Sequence, residues 1–273
     1  MNARAIVMAV AVVMLLGSPV ALSQIPTVRI TYLYDNTSTS PALQPDWGFA
    51  CLIESHGRTI VFDTGTKPDV LRHNLAELKV DVHKAQALVF SHPHGDHTLG
   101  AAALPTMDGL PAYLGEHFRM PPQADAELSR IGVKRISVPS GRTVDVFPGL
   151  TAGPEMSDGA TFEMPLVIDT PQGLVVVVGC SHPGIVAMLK RVSDTTKRPI
   201  HVVIGGFHLM QTPTDDVRRI IGDLKVLGVA WAGPTHCTGP EAIRLFREAY
   251  GDHFIEGGAG TIVSLPKTAP VGR

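Results

Sequence analysis

Beyond its first two dozen residues the chain alternates apolar and polar positions, then changes period. "TVRITYLY" alternates as a strand does, "FACLIE" and "TIVFD" read as two more, and "SHGR" between them suits a hairpin turn. The polar stretch "DNTSTSPALQPDWG" is a loop. In "DVLRHNLAEL" the period lengthens, and Leu71, Leu75 and Leu78 fall on one helical face. "AQALVF" returns to a strand. From about Gly109 to Pro165, glycine and proline interrupt the pattern; "KRISV" and "TVDVF" are short strands and the rest reads as loop.

Regularity returns with "GLVVVV", a near-continuous apolar run of the kind found where both faces of a strand are covered. Ile185, Met188, Leu189 and Val192 then predict a helix, and "HVVIGGFHLM" a strand with its loop. "TPTDDVRRIIGDLKVLG" predicts a second helix, capped by Thr214, with Asp215 and Asp216 in its first turn. Its apolar stripe is Val217, Ile220, Ile221, Leu224 and Leu227. After the strand "VAWAG" and the loop "PTHCTG", Pro240 and Gly251 bracket a third helix, and "HFIEGGAGTIVSL" supplies one or two closing strands. Hairpin-like strands therefore give way to strand–helix alternation, the pattern of a layered α/β protein, and no low-complexity linker divides it.

The leading "MNARAIVMAVAVVMLLGSPVALSQ" is a separate object. Arg4, the apolar run Ile6 to Leu16 and the small residues before Gln24 form a signal peptide over residues 1–23. The run is shorter than the ~20 residues a membrane span requires. This predicts a periplasmic or secreted mature chain, residues 24–273, without stable membrane insertion. A net charge of -2 with no basic stripe gives no reason to expect nucleic acid. The three cysteines are too few for a disulfide framework. Cys51, inside "GFACLIE", reads as a buried small hydrophobe, whereas Cys180 and Cys237 stand beside histidines.

"SHPHGDHTLG" carries His92, His94, Asp96 and His97 at the end of a core strand. Imidazole and carboxylate are good ligands for zinc, iron or manganese. His92 and His94, one residue apart, can turn toward one ion; Asp96 and His97, after the flexible Gly95, can reach a second.

This run, with "TIVFDTG" before it, resembles the HxHxDH signature of the metallo-beta-lactamase superfamily. "YLYDN", "GFACLIE", "VVVVGCSHPG", "VVIGGFHL" and "PTHCTG" extend the resemblance over about Val28 to Leu265. They are similar to blocks of the branch of metal-dependent hydrolases that includes dihydropterin-ribofuranosylaminobenzene-phosphate-synthase-like proteins. The resemblance implies a four-layer αββα sandwich with two divalent metal ions, zinc being favoured and iron or manganese the alternatives. It implies His92 and His94 at the first ion, and Asp96, His97 and His236 at the second.

Where the family commonly has a bridging aspartate, this chain has Gly179-Cys180 and then His182. His182 is the candidate third ligand of the first ion, and Cys180 a bridging or flanking thiolate. Glu155, His117 and His208 are alternatives for the middle of the site. Asp96 and His208 are the candidate catalytic residues, holding water and donating to a leaving group. Asp63 reads as a partner of imidazole or backbone. Asp35 and Asn36 read as loop-orienting or Asx-turn residues, and Trp47 as core or pocket wall. The function implied is hydrolysis of an unidentified small ester, phosphoester, lactone or amide-like substrate. A diiron redox enzyme and a metal-supported binding protein are the alternatives.

Overall fold

The computed structural model describes residues 28–265; the leader lies outside them. The chain begins with β1 (Val28–Tyr34), β2 (Ala50–Ser55) and β3 (Arg58–Phe62). These pair antiparallel in sequence, and Ser55 opposite Arg58 narrows the predicted turn to His56 and Gly57, both at positive φ. Helix α1 (Pro68–Glu77) leads to β4 (Ala87–Val89), and the single helical turn α2 (Gly95–Thr98) lies in the loop after it. Then come β5 (Pro111–Gly115), α3 (Pro122–Arg130) and β6 (Lys134–Val138). β3, β4, β5 and β6 run parallel to one another.

The second sheet starts with β7 (Val144–Phe147) and β8 (Leu150–Ala152). A two-stranded hairpin, β9 (Met156–Ser157) and β10 (Phe162–Glu163), interrupts it. It resumes with β11 (Leu166–Thr170) and β12 (Gly173–Val178), followed by α4 (Ile185–Thr196), β13 (Ile200–Gly206), α5 (Thr214–Val226), β14 (Trp231–Thr235) and α6 (Pro240–Tyr250). The last strand, β15 (Ile262–Leu265), returns to pair with β1. The sheet orders are β15-β1-β2-β3-β4-β5-β6 and β14-β13-β12-β11-β8-β7.

Strand β12 explains its own apolar run. Val175 and Val177 join the core that contains residues of both sheets, while Leu174, Val176 and Val178 join the core beneath α4, α5 and α6. Each such burial contributes roughly 1.5–3 kcal/mol of transfer free energy. Leu71 and Leu75 of α1 and Leu128 of α3 pack into the first core, and helices thus flank both sheets in the expected αββα order.

Two local expectations need correction. Thr214 is the first residue of α5; Pro213 occupies the cap position, and no side chain caps this helix. The segment read as loop contains α3, missed because only Ala124 and Leu128 of its nine residues are buried. Cys51 is fully buried, as expected.

Candidate metal centre

The chemistry-bearing loops all follow carboxyl ends of strands. Asp35 and Asn36 follow β1, Asp63 follows β3, and the histidine run follows β4. Cys180 and His182 follow β12, His208 follows β13, and His236 follows β14. In open α/β sheets such ends delimit the usual ligand crevice, because the sheet fixes where each loop begins.

Two donor sets meet there. His92, His94 and His182 each present one ligand atom within 4.8 Å of the others, as do Asp96, His97, Cys180 and His236. The sequence-derived assignments thus converge in the expected groupings, with Cys180 in the second. Cys180 Sγ lies 3.2 Å from His97 Nε2. A third set, Cys180, His208 and Cys237, lies within the same limit and shares the Cys180 sulfur. Cys237 was not among the expected site residues; its position directly after His236 was the signal.

His117 and Glu155 belong to none of these sets. Glu155 Oε1 accepts from the His117 N–H at 2.9 Å and Oε2 lies 2.7 Å from its Nδ1, while the ring stacks on Phe162. Each satisfies the other, so both drop out as middle ligands.

Buried carboxylates hold the donors in place. Asp63 accepts from Ser91 N at 2.7 Å and Ser91 Oγ at 2.6 Å, and its Oδ2 lies 2.7 Å from His97 Nδ1. That contact directs His97 Nε2 toward Cys180, so Asp63 is a partner of imidazole and backbone, as expected. Glu163, which sequence reasoning missed, is fully buried at the end of β10. Its Oε1 accepts from Gly179, Cys180 and Ser181 N–H groups at 3.1, 2.9 and 2.8 Å, and its Oε2 from His182 N–H at 2.8 Å. The adjacent Met164 N–H donates to Ser91 O at 2.8 Å, so one short strand ties together the loops carrying His92 and His182. These loops approach so closely that a Cβ on Gly179 would stand 2.1 Å from Ser91 Oγ.

On the opposite side, Asn36 Oδ1 lies 3.0 Å from His236 Nδ1, and Asn36 Nδ2 donates to His236 O at 3.1 Å. Asp35 binds the hydroxyl of Thr235 and the Gly258 N–H. Both residues therefore orient loops. Trp47 is no core residue: its indole is 46% exposed, donates to Asp96 Oδ2 at 2.8 Å, and rests against the His236 ring.

Electrostatics separate the two sets. Burial lowers His92, with neighbouring imidazoles adding to the effect; burial, His208 and His94 bring His182 down to about 4. Neutral imidazoles are the metal-binding form. At His97 burial is outweighed by the Asp63 carboxylate, which pushes the ring up to about 9. Burial acts to raise Asp96, but His236 and His97 outweigh it and hold the carboxyl well below the usual range. Burial pushes Glu163 up to about 7 against the pull of its N–H donors.

Seven non-glycine residues have positive φ among those described, and Asp63, Ser181, His208 and His236 are four of them. Such backbone strain concentrates where the surrounding structure enforces it, commonly at functional sites.

Comparison with known proteins agrees with this geometry. The chain is 28% identical over 262 residues to a 7,8-dihydropterin-6-methyl-4-(beta-D-ribofuranosyl)-aminobenzene-5'-phosphate synthase of Methanocaldococcus jannaschii, covering 80% of this chain and 88% of that one. A solved metal-dependent hydrolase of the beta-lactamase superfamily, Tm1679, superposes with TM-score 0.73 at 26% identity, covering 86% of this chain and 98% of that one. The metallo-beta-lactamase fold protein YhfI from Bacillus subtilis shares the fold, with TM-score 0.63 at 14% identity over 88% of this chain and all of its own. The sequence profile of the Metallo-beta-lactamase superfamily matches residues 46–188, from Trp47's loop through the histidine run to α4. With over half its length matched and its donors gathered at the strand ends, the chain belongs to the metallo-beta-lactamase superfamily.

Proposed function

We propose that this protein is an exported metal-dependent hydrolase with a two-ion centre, acting on a small ester, phosphoester, lactone or amide-like substrate. One observation carries the reading. His92 Nε2 and His182 Nε2 are buried without a hydrogen-bond partner, and His236 Nε2, 3.3 Å from Asp96 Oδ2, is likewise left without one. A buried polar atom left unpaired costs about 1–3 kcal/mol. A cation facing these nitrogens would satisfy them, and the donor chemistry suits zinc, with iron or manganese as alternatives.

His92, His94 and His182 would hold the first ion, and Asp96, His97 and His236 the second, with Cys180 at the second or between the two. Bound divalent ions supply a water of lowered pKa and polarise the bond under attack. The chain's residues do the positioning. Trp47 fixes the Asp96 carboxylate, which would accept from the attacking water. His208, exposed on the neighbouring cavity wall, would give a proton to the leaving group. One relative is named a synthase and one solved neighbour a metal-dependent hydrolase; the second name fits a site built to activate water.

The test is metal analysis of gently purified, reconstituted protein together with turnover of chromogenic carboxylic, phosphate and lactone substrates. The expectation is two equivalents of metal, and loss of both occupancy and hydrolysis in His94→Ala. One equivalent at saturation refutes the two-ion centre. Full occupancy with no turnover across the panel refutes hydrolysis, and an iron chromophore that cycles with reductant favours the redox alternative.

A further inference from the structure

Among the described residues, four large hydrophobic side chains are exposed: Trp47, Met210, Val226 and Ile262. Two of them, Trp47 at 46% and Met210 at 50%, line one cavity of about 400 Å³, together with His208, Gln211, Thr212 and Cys237. Leaving two large apolar side chains open beside a polar centre is unfavourable without an occupant. The cavity falls within the size range of small-molecule sites, about 300–1,000 Å³.

Its walls are held in place. The Trp47 indole N–H is fixed on Asp96 Oδ2 at 2.8 Å, and its carbonyl accepts from the Thr66 hydroxyl. The indole therefore cannot fold away without releasing a candidate ligand. Elsewhere in the lining, the Met210 backbone abuts Gly239, where an added Cβ would lie 2.7 Å from Met210 Cα. The thioether itself is free to adapt, and it makes favourable contacts with aromatic ring edges.

No lysine or arginine lines the cavity. The acidic Asp158 exerts its field on His94, His182 and His208, and Lys67 is engaged with Asp46 at 2.8 Å. An anionic group lodged here would meet no lysine or arginine, only His208 and the ions proposed at the neighbouring centre. A flat uncharged ring would have an indole, a thioether and the polar side chains of Gln211 and Thr212 in the cavity wall.

We propose that this cavity receives an uncharged aromatic portion of the substrate, one ring or two fused rings, against Trp47 and Met210. The inference rests on the hydrolytic reading for the word substrate, but the binding itself does not require turnover.

The test uses the metal-loaded full-length protein and 1-naphthaleneacetamide, which has an uncharged ring system and no ester to cleave. Calorimetry should give saturable one-to-one binding, with the saturated analogue cyclohexaneacetamide binding at least tenfold more weakly. Met210→Ala, at a half-exposed position, should weaken naphthaleneacetamide binding about tenfold with metal content unchanged. Trp47→Phe, which keeps a ring, should retain binding within about threefold. In kinetics, Met210→Ala should lower kcat/KM for 1-naphthyl acetate at least about fivefold more than for ethyl acetate. Absent binding, equal binding of the saturated analogue, or equal binding by Met210→Ala overturns the proposal. Turnover of any substrate in the panel without naphthyl binding sinks this inference alone; naphthyl binding without turnover of any carboxylic, phosphate or lactone substrate sinks the hydrolytic reading alone.

Discussion

Asp63→Asn tests how one buried carboxylate holds His97 in its metal-binding orientation. The Asp63 carboxylate accepts from Ser91 N, Ser91 Oγ and His97 Nδ1, at 2.7, 2.6 and 2.7 Å. Asparagine has nearly the same shape, and its carbonyl oxygen must face Ser91 N, a donor with no alternative. The NH2 then replaces Oδ2. Ser91 can rotate its hydroxyl to accept from it, but His97 Nδ1 can no longer donate. The neutral ring is forced into the tautomer with its proton on Nε2, the nitrogen that faces Cys180 at 3.2 Å. Every polar atom retains a partner, but the pairing of Asp63 with a ring it holds protonated up to about 9 is lost, so at pH 7 the metal-free fold should lose about 1.5–3 kcal/mol, the worth of a hydrogen bond to a charged group. In either protein an ion at Nε2 displaces a proton, but in the variant the proton left on Nδ1 faces the amide NH2 and has no acceptor, and affinity should fall about 10- to 100-fold, as for other partners of metal-binding histidines. That is about 1.4–2.8 kcal/mol. Denaturant unfolding of the metal-free protein measures the first quantity, and competition with a chromogenic chelator the second. Unchanged affinity would refute the tautomer argument, and unchanged fold stability at pH 7 would refute the charged pairing.

Other perturbations probe the loops from different sides. Cys180→Ser should abolish the sulfur-to-metal charge-transfer band of cobalt-substituted protein; an unchanged spectrum and stoichiometry would leave Cys180 as packing. Gly179→Ala places a Cβ 2.1 Å from Ser91 Oγ and 3.0 Å from His92 Nδ1. It should cost about 1–3 kcal/mol in denaturant unfolding and lower metal affinity, since separating the loops displaces His92; a wild-type unfolding midpoint would contradict the close approach. Export predicts a mature amino terminus at or within a few residues of Gln24, and an intact Met1 on soluble cytoplasmic protein would defeat it.

Periodicity revealed the elements that bury a continuous face. β12 announced itself because both its faces are covered, and α4 because Ile185, Met188, Leu189 and Val192 are all buried. The hairpin β9–β10 escaped notice because two-residue strands have no period, and Glu163 escaped with it. A lone glutamate in "FEMP" carries no sign that four backbone N–H groups from another loop converge on it. The candidate donor sets His92–His94–His182 and Asp96–His97–His236 were legible because histidine is rare and clustered. Trp47 was ambiguous because its role depends on a contact with Asp96, 49 positions away.

The left-handed backbone at Asp63, Ser181, His208 and His236 has a consequence for the protein's evolution. At each position glycine would relieve roughly 1–2 kcal/mol of conformational strain. Selection for heat resistance alone would therefore favour glycine at His208, whose side chain is exposed, where the replacement also erases an imidazole. A laboratory lineage bred only for endurance would be drawn toward an inert descendant, its sheets intact and its donors thinned. The same residues mark where a stabilised library should be held fixed if activity is to survive.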